Sequence, residues 1–325
     1  MTFLGVTMII FAGMRWNTGT DWGSYRSYFT SIERRQWGGS GMEIGYEIIV
    51  RFFKMFISSD QTPFLFFCSI FIIGFTYPTV YKHSPFPLFT LFLLISYSLV
   101  GSGFGVRQDL SIALTLYSIT FIKERSFYKY AVIVFIAALI HNSAVIFFPA
   151  YYIYLFKWNT AKFLIISAVV IAFIFLSGTL MQTFGALVAE RKAEHYLEMG
   201  MDQFENPYVA LMKGLSGRLL FLSICVWFVN YKTGENKYYN GLFNLYVFGI
   251  ILYAIFSPIN LIFSRLARPY DIFQILIIPL AYFQAKRIYK IFIVVIIVAF
   301  SILKFSTIIR NDDGVNIPYK SALSR

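Results

Sequence analysis

Charged side chains are scarce in this sequence. Of its 325 residues 14% are Asp, Glu, Lys or Arg, against about a quarter in soluble domains, and 58% are hydrophobic. A water-soluble fold is excluded, because so few charges could not cover its surface. Cysteine is nearly absent. Cys68 and Cys225 each lie inside an apolar run, so a disulfide framework is excluded and both read as small buried hydrophobes. The histidines His83, His141 and His195 stand far apart and give no metal-ligand spacing; neither a metal nor a cofactor is expected. Acidic residues number 16 against 28 basic ones, a net charge of +12. In a soluble chain that excess would point to nucleic acid. Here it divides between loop lysines that orient helices and arginines that meet an anionic ligand, and no nucleic-acid partner is expected.

What the sequence has in quantity is apolar runs. They cover Thr2–Met14, Thr62–Tyr81, Phe86–Val100, Val106–Ile122, a long stretch between Lys129 and Lys157, Phe163–Ser177, Leu215–Val229, Leu242–Phe263, Pro269–Phe283 and Ile291–Ile309. The pattern predicts an all-α, polytopic transmembrane bundle of about 9–11 hydrophobic segments, with residues 1–325 forming a single integral membrane domain. Run one is short of the roughly 20 residues that a span needs, and "MTFLGVTMIIFAGMR" lacks the charged start and cleavage site of a signal peptide. It reads either as a tilted or interfacial start or as a chain whose first helix is missing. Two polar regions, Arg15–Asp60 and Gly178–Gly214, interrupt the runs. Within the first, "GMEIGYEIIVRFFKMFI" sets Ile44, Ile48, Ile49, Phe52, Phe53 and Phe56 on one helical face, with Glu43, Glu47, Arg51 and Lys54 elsewhere. That pattern predicts an amphipathic helix on the membrane surface. In the second, Glu190, Arg191, Lys192, Glu194, His195 and Glu198 read as a solvated helix.

The fifth run has basic residues on both flanks: Lys123, Arg125 and Lys129 before it, Lys157 and Lys162 after it. If both flanks lie on one side, the segment must enter and return as two half-helices joined at "HNS", with Asn142 or Ser143 capping the second. One ordinary spanning helix is the alternative. The hairpin puts "YKHS", "KERSFYK", "KWNTAK", "YKTGENK" and "AKRIYK", each with a lysine, on one side, which the positive-inside rule makes cytoplasmic. Both polar regions, "GFGVRQ", "SRLARPY" and the tail then face outward.

Charges at membrane depth are expensive and need a reason. Arg107, at the head of run four, reads as an anion-binding arginine, since its planar fork suits phosphate; the plainer reading is a snorkelling arginine paired with Asp109. Arg265 and Arg268 share one turn at the start of run nine beside Tyr270. They make a pyrophosphate clamp or, more blandly, an anchor to lipid headgroups. His141, at the bend, reads as a proton-transfer group or a buried, hydrogen-bonded histidine. In "RWNTGTDWGSYRSYF", Asp21 and Arg15 pair in the simplest reading, with Trp16, Trp22, Tyr25 and Tyr28 as an interfacial belt. The sharper one has Gly19 and Gly23 present Asp21 to a cavity where a sugar hydroxyl needs a base and a ring needs aromatic faces. Glu43 is a second carboxylate of this kind. Asp21, Glu43 and His141 compete for the base; Arg15, Tyr25 and Tyr270 are candidates for sugar contact.

These segments together resemble the EpsG family of polysaccharide polymerases, Wzy-like proteins of bacterial surface polysaccharide pathways. "RWNTGTDWGSYRSYF" resembles the family's arginine–glycine–aspartate–tyrosine signature and "MEIGYEIIVRFF" its Glu-x-Gly-Tyr motif. "VRQDLSIALTL" resembles its Arg-Gln segment, "ALIHNSAVIFFPAYY" its His-x-Ser motif, "SRLARPYDIF" its late Arg-Tyr segment and "NIPYKSAL" its Pro-Tyr ending. The six follow in the family's order, and family members usually carry a full hydrophobic helix before the segment at Thr2–Met14. The resemblance implies a GT-C-like glycosyltransferase of the bacterial cytoplasmic membrane with its active site on the extracytoplasmic side. It would join repeat units carried on undecaprenyl pyrophosphate, as both donor and acceptor, into O-antigen, capsule or exopolysaccharide. Pathway partners would be chain-length regulator and flippase proteins besides membrane lipid. Arg107, Arg265 and Arg268 would hold the pyrophosphate. No nucleotide sugar is involved, and no nucleotide motif stands in the sequence. Two other classes compete: a flippase or transporter for lipid-linked oligosaccharide, and a membrane acyltransferase centred on His141. A transporter should show two related halves, and no internal repeat is present.

Overall fold

The computed structural model describes residues 2–19, 21–39, 41–96, 105–189, 207–229, 236–258, 263–310 and 319–324. Among these the fold is all-α, with isolated bridges in place of strands. In chain order the helices are α1 Thr2–Gly13, α2 Trp22–Ser31, α3 Ile44–Phe56, α4 Gln61–His83, α5 Pro87–Leu94, α6 Val106–Tyr117, α7 Ile119–Lys123, α8 Phe127–Ile140, α9 Ala150–Ile153, α10 Thr160–Ala189, α11 Pro207–Trp227, α12 Lys237–Phe256, α13 Arg268–Asp271, α14 Gln274–Gln284 and α15 Arg287–Arg310.

Among the described residues, three helices are long and apolar enough to cross a membrane: α4, α12 and α15 over Arg287–Thr307. They sit in different surroundings. The apolar window of α12 is 61% buried within the protein, that of α15 only 17%, so α12 is packed inside the bundle and α15 lies at its rim with its apolar side chains exposed. Asn236 starts α12, its Oδ1 accepting from the backbone N–H groups of Tyr238 and Tyr239 at 3.1 and 3.2 Å. Other apolar runs are broken. Run four divides at Ser118 between α6 and α7, and run nine divides between α13 and α14. Broken backbone at membrane depth is tolerated where protein rather than lipid surrounds it, and these breaks lie in the buried core.

The fifth run doubles back. Arg125 lies 3.9 Å over the ring of Tyr151 and donates to its carbonyl at 3.0 Å. Phe127 touches the rings of Tyr151 and Tyr152, and the Tyr130 hydroxyl donates to the carbonyl of Phe147. A continuous helix would hold residues 127 and 152 about 38 Å apart at 1.5 Å per residue, so the contacts require a hairpin. The break is at His141, which is extended at φ −151° and ψ 120°. The returning arm is a 3-10 turn over Asn142–Phe147 followed by α9, rather than a second half-helix. Neither Asn142 nor Ser143 caps it: the capping position is His141, whose side chain makes no bond to the turn's own backbone. The N–H of Asn142 finds an acceptor on another element, the Glu43 carboxylate.

Two sequence expectations for the first polar region change. The aromatic residues of α2 are no surface belt. Trp22, Tyr25, Tyr28 and Phe29 are buried together with Tyr46, Val50, Phe53 and Phe64 in a core of their own. Helix α3 has two faces to satisfy. Ile44, Ile48, Phe52 and Phe56 remain exposed as an oily stripe, as a surface helix requires. Phe53 turns inward, and Glu47 is buried, bonded to Arg51 at 2.8 Å and accepting from the N–H of Gly38 at 3.2 Å. The amphipathic pattern gave the lipid face; it did not reveal that α2 covers the opposite one.

The basic ends of α4 and α7 meet the start of α12. Lys82 pairs with Glu124 at 3.3 Å, Lys123 lies 4.7 Å over the Tyr238 ring, and the Tyr238 hydroxyl donates to the His83 carbonyl at 3.0 Å. At the chain ends, Trp16 donates to the carbonyl of Lys320 at 2.8 Å, Ala322 to that of Met14 at 2.7 Å, and Phe11 stacks on Tyr319 with ring centres 4.6 Å apart. The segment after α1 and the "YKSAL" ending therefore clasp one another.

Candidate active site

The first turn of α6 distributes three consecutive polar side chains to three different partners. Successive helical residues point about 100° apart, which is why neighbours in sequence do not meet one another. Arg107 turns toward α3 and the hairpin, Gln108 toward α13, and Asp109 toward the end of α1. This sets aside the plainer reading of Arg107 as paired with Asp109: two positions apart on a helix, the two residues face away from each other.

Glu43 is the centre of the first group. It stands at the capping position of α3, in extended backbone at φ −67° and ψ 141°. Its Oε2 accepts from Arg107 Nη1 at 2.5 Å. Its Oε1 meets His141 Nδ1 at 3.0 Å and accepts from the N–H of Asn142 at 3.3 Å. Gly45 makes that meeting possible. A Cβ at Gly45 would lie 2.7 Å from the carbonyl oxygen of Leu139, two residues before His141. Only a residue without a side chain lets α3 approach the end of α8 so closely. Arg107 is held in turn. Its Nε donates to the Tyr25 hydroxyl at 3.1 Å, and its guanidinium lies 5.5 and 5.8 Å from the ring centres of Tyr25 and Tyr46.

Burial alone would push the Glu43 carboxyl up from its ordinary 4.5. The hydrogen bond with His141 and the charge of Arg107 outweigh burial and hold it down at about 2. Glu43 is therefore a carboxylate at neutral pH and can only accept, so His141 must carry its proton on Nδ1. In a neutral imidazole the Nε2 lone pair is then open to take a proton. The His141 side chain keeps 17% of its surface exposed and that of Glu43 11%. Such a dyad suits general-base chemistry, with the histidine as acceptor and the carboxylate as its orienter.

The second and third groups adjoin the first. Arg268, at the start of α13, donates through Nη1 to the Gln108 Oε1 at 2.8 Å. Arg265 is exposed one turn earlier, in the 3-10 turn Phe263–Ala267, and its charge acts on Arg268. Asp109 attracts both Arg268 and Arg15, and with Arg15 it lines a small cavity between α1, α4 and α6.

The candidates thus separate. Glu43, His141, Arg107 and Tyr25 are linked by direct contacts, while Arg268 bonds to Gln108, the residue after Arg107, on another face of α6. Arg15 is buried and lines the same small cavity as Asp109. Asp21 is exposed at the N-terminal boundary of α2, and although Gly19 does adopt a positive φ of 99°, the turn presents Asp21 outward. Tyr270 is no open platform for a sugar. It is fully buried, its hydroxyl donates to the Ile146 carbonyl at 2.9 Å, and its ring packs on Phe147 and Phe248. It fastens the returning arm of the hairpin to α13. The charge run Glu190–Glu198 lies outside the described residues.

Sequence reasoning passed over Arg218, Asp271 and Lys304. Arg218, midway along α11, makes a two-pronged ion pair with Asp271, Nε to Oδ1 at 3.1 Å and Nη2 to Oδ2. The signal was present. A lone basic residue inside "GLSGRLLFL" or "SILKFSTI" is as costly in lipid as Arg107.

No curated protein and no solved structure matches the chain. A family model does, described as "EpsG family" and covering residues 1–321. That span includes every motif assembled at the site, and the family suggests a polysaccharide polymerase role in general. With its apolar helices and this match over nearly its whole length, the chain is a membrane protein that belongs to the EpsG family.

Proposed function

We propose that this protein polymerises oligosaccharide repeat units carried on undecaprenyl diphosphate into a bacterial surface polysaccharide, by glycosyl transfer at the outer face of the cytoplasmic membrane. The observation that carries the reading is the Glu43–His141 dyad with Arg107 bonded to it, and Arg268 bonded to Gln108, the next residue of α6: a base for a sugar hydroxyl and cations for a diphosphate. In this scheme His141 Nε2 takes the proton from the acceptor hydroxyl as its oxygen bonds to the donor's anomeric carbon. The bond from that carbon to the diphosphate breaks, and its electron pair leaves with the diphosphate. Glu43 keeps the imidazole in the productive tautomer and stabilises the imidazolium that forms. Arg268 and Arg265 stabilise the leaving charge, which is worth most where water is excluded. Arg107, with Nε and Nη1 engaged by Tyr25 and Glu43, acts first as a positioning residue and borders the same space.

Sidedness follows from charge. The site lies at the far end of α6 and α7 from the lysine-bearing loops, about 24 Å from Lys123 along the helix axis at 1.5 Å per residue. Basic loops favour the cytoplasm, which supports an outward-facing site. The test is reconstitution of the purified protein with a lipid-linked repeat unit. A ladder of longer lipid-linked products is expected. Movement of the unit between leaflets without any ladder would contradict polymerisation and favour a flippase.

A further inference from the structure

Trp37 is 63% exposed, yet it is fixed from below. It sits at the corner of a tight turn, closed by the Gly39 N–H donating to the Gln36 carbonyl at 3.1 Å. Gly38, next in the turn, takes a positive φ of 72°, a conformation that a side chain would resist. Two bonds tie the turn to α3. The Gly38 N–H donates to Glu47 Oε2 at 3.2 Å, and Arg51 Nη2 donates to the Arg35 carbonyl at 2.7 Å. Arg51 Nε donates in turn to Glu47 Oε1 at 2.9 Å, and the guanidinium lies 4.5 Å from the centre of the Trp37 ring. The Glu47 side chain is fully buried. A buried carboxylate is costly unless it is well bonded, and the partners of this one are the turn's backbone and the arginine beneath the indole. One face of the ring therefore rests on a held cation, and the rest of the ring is open.

This mount stands on the same row of α3 as the dyad. Glu43, Glu47 and Arg51 follow at four-residue spacing, which aligns them along one side of the helix, and the Glu47 N–H donates to the Glu43 carbonyl at 3.0 Å. Arg51 lies about 12 Å along the axis from Glu43 at 1.5 Å per residue, a stretch that a short chain of sugars spans when its end lies at His141. The oily stripe of Ile44, Ile48, Phe52 and Phe56 runs beside this row, but Trp37 rests on the charges. Sinking the ring among acyl chains would draw Arg51 toward hydrocarbon, where a charge is expensive. Glu33, Arg34, Arg35 and Gln36, which lead to it, are all exposed. An open aromatic face bordered by polar groups fits a ligand that is apolar on one side and polar around its edge. A sugar ring has that form, with C–H bonds on its face and hydroxyls at its rim.

We propose that Trp37, held by Glu47 and Arg51, is a stacking platform for a ring of the acceptor oligosaccharide away from the reacting hydroxyl. The inference rests on the polymerase reading and adds to it a sugar contact on the far side of α3's polar row from the base.

The test uses the purified full-length protein in lipid nanodiscs and, as probe, lipid-free oligosaccharides cut from the surface polysaccharide of the bacterium that makes it, with binding followed by calorimetry. Trp37→Ala should bind about tenfold more weakly than the wild type, the order of worth of one aromatic contact, and Trp37→Tyr within about threefold of it. With the lipid-linked repeat unit, Trp37→Ala should raise KM about tenfold and leave kcat near the wild-type value. Absent or equal oligosaccharide binding in wild type and Trp37→Ala overturns the platform. A fall in kcat at unchanged KM also overturns it, and makes the turn a mere support for Glu43. Quenching by brominated phosphatidylcholine of the emission that Trp37→Tyr removes assigns the ring to the membrane instead. The two readings fail separately. Trp37-dependent oligosaccharide binding without any ladder from a lipid-linked unit sinks the polymerase, whereas a ladder with equal binding in both proteins sinks the platform alone.

Discussion

Glu43 is the residue on which the site turns, because one carboxylate serves three donors from two elements: Arg107 on α6, and His141 and the Asn142 backbone on the hairpin. Its titration is a stability statement. The folded carboxyl is held at about 2 against an ordinary 4.5, so the folded state favours the ionised form. The resulting stability is complete above about pH 4.5 and is lost as pH falls toward 2, on the order of 3 kcal/mol in all. Thermal unfolding of the wild type in detergent should therefore weaken between pH 5 and 2, and the decline should be shallower in Glu43→Gln. Identical profiles for the two proteins would mean that Glu43 is not held as described. At this scale the sequence named three competing bases with no means of ranking them. Ranking needs distances between residues 64 to 99 positions apart, which no local pattern carries.

At the scale of elements, the site is made by close approach. Helix α3 reaches the end of α8 only because Gly45 presents no side chain to the Leu139 carbonyl. Gly45→Ala should push the two apart, loosen Glu43 from His141 and lower polymer yield at least about tenfold, with only modest loss of thermal stability, since the remaining core of α2, α3 and α4 is untouched. Normal yield from this variant, measured in the reconstituted assay, would show that the approach does not matter. The sequence was informative about elements in proportion to their regularity. The spans α4, α12 and α15 follow from apolar length. The hairpin follows from basic flanks on both sides of one apolar run. Where the chain breaks inside such runs, at Ser118 and between α13 and α14, hydropathy is blind, because a broken helix and a whole one have the same composition. Helix α10 likewise continues to Ala189, past the end assigned to its run at Ser177, because the following GTLMQTFGALVA carries no charge and is itself largely apolar.

Across the whole molecule, the charges divide by end. The basic ends of α4 and α7 meet the start of α12 at one end, while the first turn of α6 gathers Arg107, Gln108 and Asp109 with their partners from α1, α3, α13 and the hairpin at the other. The net charge of +12 is thus spread over both groups of residues. What composition could not separate is which arginines are already neutralised. Arg107 and Arg218 each hold a carboxylate of their own, and only the fold reveals that. The central claim is that His141, oriented by Glu43, removes the proton of the acceptor sugar. It is tested most directly by comparing wild type and His141→Gln, reconstituted with the same lipid-linked repeat unit under single-turnover conditions. The expected result is a rate lower by about 10²–10⁴ with undecaprenyl diphosphate binding unchanged; a ladder formed at the wild-type rate would contradict it.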